Sequence, residues 1–171
     1  MPASFHQTIS FYISALSNYT LPQLLAKPSP NSWSMGQLYM HLIENTDWFF
    51  DQVKTCLSTN ENQNKDATVA GKEMLLNNSF PNLQLEGPPE NELTEQPDSI
   101  EDLLTHLNRK QEEIDIISEL VAQTTFKGKT QHPGLGFFSA VEWFRFAEMH
   151  LRHHFRQKKR IDEYLQSNNL L

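Results

Sequence analysis

Near the end of the chain, stepping by four and three from Trp143 gives Ala147, His150, His154, Gln157, Ile161 and Leu165. The ends of this row are apolar, but its middle is His, His and Gln. A helical core excludes polar groups that lack partners, because an unsatisfied buried one costs about 1–3 kcal/mol. On a helix, residues four apart project from one face with Cβ atoms about 6 Å apart. His150 and His154 have that spacing, which is what two imidazoles need to share one metal ion. His153 is turned about 100° from this face and is expected to point outward. A third nitrogen is on offer from His41, at the flank of an earlier apolar stripe, on the side of Leu38, Asn45 and Trp48. Three histidines with an open fourth position make a reactive layout, in which a metal holds and acidifies a water or a thiol. Neutral imidazole suits zinc, nickel or iron. A closed structural site would need a fourth protein ligand, and the chain has one cysteine, Cys56. Glu44, Asn45 and Gln157 are candidates to hydrogen-bond the site rather than to bind the ion.

Plainer readings stand beside this one. Two histidines four apart on a helix also occur without metal. Leu151 follows His150, so the His-Glu-x-x-His arrangement with its glutamate base is absent. His6 and His106 are expected at the surface. Gly128-Lys129-Thr130 has the ending of a phosphate-binding loop, but the glycine required five residues earlier is Gln123, which excludes it. Arg145, Arg152, Arg156, Lys158, Lys159 and Arg160 crowd the same stretch as the two histidines. They are expected to form a solvated face suited to a helix C-terminal half, with an anion site as the other reading.

The elements that must position these groups follow from the prolines and the apolar period. A first helix is expected from Phe5 to about Leu25, with Phe5, Ile9, Tyr12, Ile13 and Leu16 on one face and a soft end at Pro22. A second starts near Ser34 and runs to about Ser58, with Met35, Leu38, Leu42, Phe49, Val53 and Cys56 recurring at helical steps. A third runs from Asp98 or Ser99 to Gln123, with Ser99 and Asp102 close to a capping box. Its stripe is Ile100, Leu103, Leu104, Leu107, Ile114, Ile117 and Leu120. The fourth opens near Ser139, with Glu142 as its capping partner, and continues to about Gln166. Residues 59–98 are rich in Asn and Pro. Ala67 to Leu76 is expected as a short helix there, inside a long crossover packed along the bundle. The fold expected is all-α: one domain over residues 1–171, a four-helix bundle with a long crossover between helices 2 and 3.

Composition narrows the function classes. Across 171 residues there are 14 Lys and Arg against 21 Asp and Glu, a formal net charge of −7. That argues against general affinity for nucleic acid or anionic membrane. Mean hydropathy is −0.55, and no apolar run approaches the ~20 residues that a bilayer needs. The N-terminus has neither the basic start nor the apolar core of an export signal, and one cysteine suits a reducing compartment, so a cytoplasmic protein is expected.

The stretch Trp33-Ser34-Met35-Gly36-Gln37-Leu38-Tyr39-Met40-His41-Leu42 resembles the opening of helix 2 in the DinB/YfiT-like superfamily. Residues 132–157, from His132-Pro133-Gly134 through Ser139 and Trp143 to His150-Leu151-Arg152-His153-His154 and Gln157, resemble its last helix and the loop before it. His41, His150 and His154 stand at the family's ligand positions. The resemblance implies a four-helix bundle with a metal bound near its middle by a histidine triad. It also implies membership among metal-dependent thiol transferases, which use thiols such as bacillithiol or mycothiol, or among bundles labelled metal-dependent hydrolases. Resemblance speaks to a site and a chemistry class more than to a substrate.

The expected function is therefore that of a metal-dependent transferase. A divalent ion, zinc or nickel, is held by His41, His150 and His154 and activates a low-molecular-weight thiol, or water, for attack on a small electrophile. A hydrolase and a non-enzymatic metal-binding bundle are the alternatives. The partner expected is a small-molecule substrate, not a membrane or nucleic acid. Phe11, Tyr12 and Tyr19 around the first helix suggest a homodimer if they leave an apolar patch exposed.

Overall fold

The computed structural model describes residues 2–81 and 93–170, and this chain is mostly helical with one small two-stranded sheet. The elements are α1 (Pro2–Leu16), α2 (Leu21–Leu25), α3 (Met35–Cys56), α4 (Val69–Asn77), α5 (Ile100–Gln123), β1 (Lys129–His132), β2 (Gly136–Ser139), α6 (Ala140–His153) and α7 (Phe155–Ser167). The α3 helix packs most extensively against α6, and α5 packs on both α1 and α3. No helix is long and apolar enough to cross a membrane among the described residues.

Local chemistry explains most of the boundaries. Ser34 caps α3, accepting from the Gln37 N–H at 3.1 Å while the Gln37 side chain accepts from the Ser34 N–H at 3.2 Å. Gln37 also donates to the Thr94 carbonyl, and Ser34 to Gln96, so residues 94–96 are pinned to the start of α3. The Ser139–Glu142 capping box opens α6, and Ser99 caps α5. The apolar stripe of α3 is buried throughout, as are Phe5, Ile9, Tyr12 and Leu16 of α1.

Three expectations need correction. The first helix does not reach Leu25 unbroken. Pro22 has no N–H to continue the ladder and crowds the turn before it, so the chain leaves the helix after Leu16 and restarts from Thr20 with Pro22 in the first turn. The last helix is divided at His154, whose N–H is shared between the carbonyls of His150 (3.3 Å) and Leu151 (3.2 Å). This is one tightened turn, not a change of row: Trp143, Ala147, Ile161 and Leu165 remain buried on either side. The third correction is the hairpin, absent from the sequence-based expectation. Its strands pair antiparallel with Thr130 opposite Phe138 and His132 opposite Gly136. Gly136 sits at φ +82, where a side chain would meet the backbone of Asp66–Thr68. The Trp143 indole donates to Thr130 Oγ1 at 2.7 Å, binding the hairpin to α6.

Of residues 59–98, α4 lies close to the short helix expected, and residues 82–92 of the expected crossover lie outside the described residues. On α5, Leu103, Leu107, Ile114 and Ile117 are buried but Leu120 is 47% exposed.

Candidate metal centre

Three helices carry the site: α3 brings His41, α6 brings His150 and the junction with α7 brings His154. Two tyrosines fix the register between these elements. Tyr39 donates to the Tyr12 carbonyl at 2.9 Å, and Tyr12 donates to the Leu151 carbonyl at 2.8 Å, one residue from His150. The Leu151 carbonyl is one of those shared at the tightened turn, so the same irregularity serves both contacts.

The three rings meet through one atom each. His150 Nε2 lies 3.3 Å from His41 Nε2 and 3.2 Å from His154 Nε2, and all three ligand atoms lie within 4.8 Å of one another. His41 and His150 are buried, and His154 is half-buried. Burial pushes the His41 ring down to about 3, with the neighbouring His154 adding to the effect. His154 falls to about 4, mainly through burial, against an opposing hydrogen bond from Gln157. His150 lies well below the ordinary histidine value, again through burial first and the adjoining imidazoles second. The cluster is uncharged at neutral pH, the state in which imidazole binds metal.

Its proton inventory does not close. Gln157 presents Oε1 to His154 Nδ1 at 2.9 Å, so that nitrogen carries the proton and Nε2 offers a lone pair to the centre. The Asn45 amide nitrogen donates to the His41 carbonyl and reaches His41 Nδ1, both at 3.0 Å. His41 therefore keeps its proton on Nε2, aimed at His150. His150 Nδ1 is buried without a hydrogen-bond partner among the described residues. If His150 carries its proton there, that proton has no acceptor and the His150 and His154 lone pairs face each other. If it carries it on Nε2, two N–H groups face each other across the His41 contact. A cation taken by the His150 and His154 lone pairs ends their contention, and His41 joins once its proton moves from Nε2 to Nδ1, so the three imidazole donors fit a metal ion.

A family model, that of the DinB superfamily, matches residues 4–157, which hold all three histidines. The chain belongs to the DinB superfamily. No curated protein and no solved structure matches it. Membership in the DinB superfamily and the histidine cluster together fit a metal-binding protein.

The other residues singled out in the sequence divide. Asn45 and Gln157 touch the triad, whereas Glu44 has no contact with it among the described residues, and burial, then the charges of Glu95 and Asp47, raise its pKa. His153 does not point outward into water. It is half-buried and stacked on Phe80 with ring centres 4.8 Å apart, and burial followed by the charges of Arg156 and Arg160 lowers its pKa. His6 pairs with Asp115, and His106 is exposed. The expected solvated basic face is also corrected in part. Arg145 donates to the Leu75 carbonyl, Arg152 to Glu148 and the Asn78 carbonyl, and buried Lys158 to Tyr19 and Asp162. These cations brace the fold.

Sequence reasoning gave no role to Trp33, Phe80 or His132. Trp33 lies against His41 at 4.7 Å between ring centres, and Phe80 lies 6.1 Å from His150. Neither contact leaves a periodic trace, since both rings sit outside the helices. His132 had a signal: Thr130-Gln131-His132 and Gly136-Phe137-Phe138 flank a Pro-Gly turn, a hairpin pattern.

Proposed function

We propose that this protein is a metal-dependent enzyme in which His41, His150 and His154 hold one divalent ion, zinc or nickel. With that ion bound, the site would activate a low-molecular-weight thiol, or a water, for attack on a small electrophile. On this reading α1, α3, α5 and the α6–α7 pair form a four-helix bundle, with residues 59–98 as the long connection between its second and third members. The observation that carries it is the convergence of His41, His150 and His154, whose ring nitrogens lie within 4.8 Å of one another.

When bound, the ion supplies the positive charge that brings a thiol, ordinarily near 8.5, into its reactive ionised form at neutral pH. The protein's own residues do the rest. Gln157 keeps the proton of His154 on Nδ1 and so directs its Nε2 inward. Trp33 covers one side of His41. The cluster has no carboxylate among the described residues that would serve as base toward water. Activation of a thiol or of a water therefore falls to the ion itself.

The test is metal analysis of tag-free protein, followed by a thiol panel against one general electrophile. Zinc or nickel should bind one per chain. His41→Ala or His150→Ala should weaken binding by at least about a hundredfold, while His153→Ala retains the ion. Thiol consumption should require the metal. Protein that takes up neither zinc nor nickel refutes the reading, and ester cleavage without any thiol favours hydrolysis. A homodimer goes with this reading. Phe11, 47% exposed where Tyr12 and Tyr19 are buried, is the apolar contribution of α1, and a monomer mass by light scattering refutes it.

A further inference from the structure

Beside the triad, five aromatic rings from four parts of the chain form a shelf. Its floor is Phe49 and Phe146, 3% and 2% exposed, with ring centres 5.3 Å apart, and Phe49 lies 5.2 Å from His150. Three rings stand on that floor. Phe80 is 5.0 Å from Phe146 and 6.1 Å from His150. His132 is 5.1 Å from Phe146. Trp48 is 5.4 Å from Phe49 and 6.4 Å from His132. The floor is sealed, yet each of the three standing rings keeps part of its surface accessible, Trp48 as much as 39%.

We propose that Trp48, Phe80 and His132 wall a subsite that takes the flat, aromatic body of the co-substrate and so presents its reactive atom at the triad. The proposal deepens the metal-centre reading and rests on it.

Three features favour a flat aromatic occupant. Two of the five rings, Phe49 and Phe80, lie against His150, so the cluster borders the ring that carries one of the three nitrogens. Its walls are ring faces and edges, which reward another ring beyond the area covered, by offset or edge-to-face contact. The walls are also held in place before anything binds. His132 stacks on Trp143 at 26° between ring planes, and its Nδ1 accepts from the Gly134 N–H at 3.1 Å. Trp48 stands edge-on to Trp143 at 5.2 Å, so one buried indole braces two walls. A pre-placed wall loses little freedom on binding, and more of the contact energy remains as affinity.

Benzohydroxamate and acetohydroxamate test this without any turnover, because they share a metal-binding group and differ by a phenyl against a methyl. Zinc stoichiometry is measured first, then each compound is titrated into the zinc-loaded protein by calorimetry. Benzohydroxamate should bind at least about tenfold tighter. Trp48→Ala and Phe80→Ala should each reduce that ratio severalfold with zinc content unchanged, and Trp48→Phe should keep most of it. Circular dichroism and zinc stoichiometry identify any variant that has failed to fold, and Trp48→Phe then carries the comparison with wild type. No preference for the phenyl compound, including no binding of either, overturns the subsite while leaving the metal centre standing. So does a preference that survives both alanine variants. Failure of wild-type protein to bind zinc overturns the metal centre, and the subsite with it.

Discussion

One turn beyond His154, α7 carries a second polar cluster centred on a buried lysine, and the two are built to opposite rules. Lys158, 6% exposed, donates to Tyr19 Oη at 2.7 Å and to Asp162 Oδ2 at 2.8 Å, and Tyr19 donates to the other Asp162 oxygen. Its ammonium also lies over the Phe11 and Tyr19 rings. One cation meets one anion, and the hydroxyl between them both accepts and donates. The triad has no counter-charge, an orphaned nitrogen and three ring atoms contending for one space. A closed cluster stabilises the fold and needs nothing further. An open one costs stability, and that cost marks a place where something else is meant to bind.

The largest expected effect breaks this contrast at its root. Lys158→Met leaves half-buried Asp162 beside Tyr19 without its cation, a loss of about 3 kcal/mol. In metal-free protein, His150→Leu should cost less than about 1 kcal/mol or raise stability, because it removes the orphaned nitrogen and both conflicts at Nε2. Urea midpoints in the presence of a chelator measure both. Equal losses would mean that the triad is as well satisfied as the lysine cluster.

A somewhat smaller effect comes from pH. Burial holds His41 at about 3 and His154 at about 4 in the folded chain, below the ordinary 6.5 of the unfolded one. Between those values the unfolded chain binds more protons, so stability is full above about pH 6.5 and is lost as pH falls toward 4. One such ring is worth about 2 kcal/mol by pH 5. Chelator-treated protein should therefore lose urea resistance between pH 7 and pH 5. Saturating zinc should move the loss to lower pH, since the ion competes with those protons. A flat profile across this range in metal-free protein would contradict the burial of the rings.

The smallest effect distinguishes the two halves of the triad itself. Gln157 sets His154 in the tautomer that a metal requires, whereas Asn45 sets His41 in the opposite one. Gln157→Leu should weaken zinc binding about tenfold. Asn45→Asp, whose carboxylate accepts a proton from His41 Nδ1, should tighten it by a similar factor. Competition with a chromophoric chelator resolves both, and like signs for the two variants would refute the tautomer assignment.

Much of the site was legible before any coordinates. The row from Trp143 to Leu165 has a polar middle that no buried helix face carries idly, and it identified His150, His154 and Gln157 together. Asn45 was legible as a neighbour of His41, being four residues away on the same helix. Glu44, adjacent in sequence, was not separable from Asn45 on spacing alone, and in the fold it is exposed while Asn45 reaches the ring. His153 shows the limit most plainly. Helical phase turns it away from the triad, but whether that direction meets water or another side chain depends on Phe80, 73 residues earlier in the chain.

The sequence by itself determined the helical periods, their caps at Ser34, Ser99 and Ser139, and the presence of a polar interruption in one core face. These depend on neighbours within about four residues, and the backbone imposes that geometry wherever the segment lies. Only the tertiary structure decided that His41 Nε2 stands 3.3 Å from His150 Nε2, that the Thr130–Phe138 hairpin carries His132 to Phe146, and that Lys158 is closed while the triad is open. Those outcomes depend on how separate elements pack, where a shift of one ångström makes or breaks a contact and no local spacing records the distance.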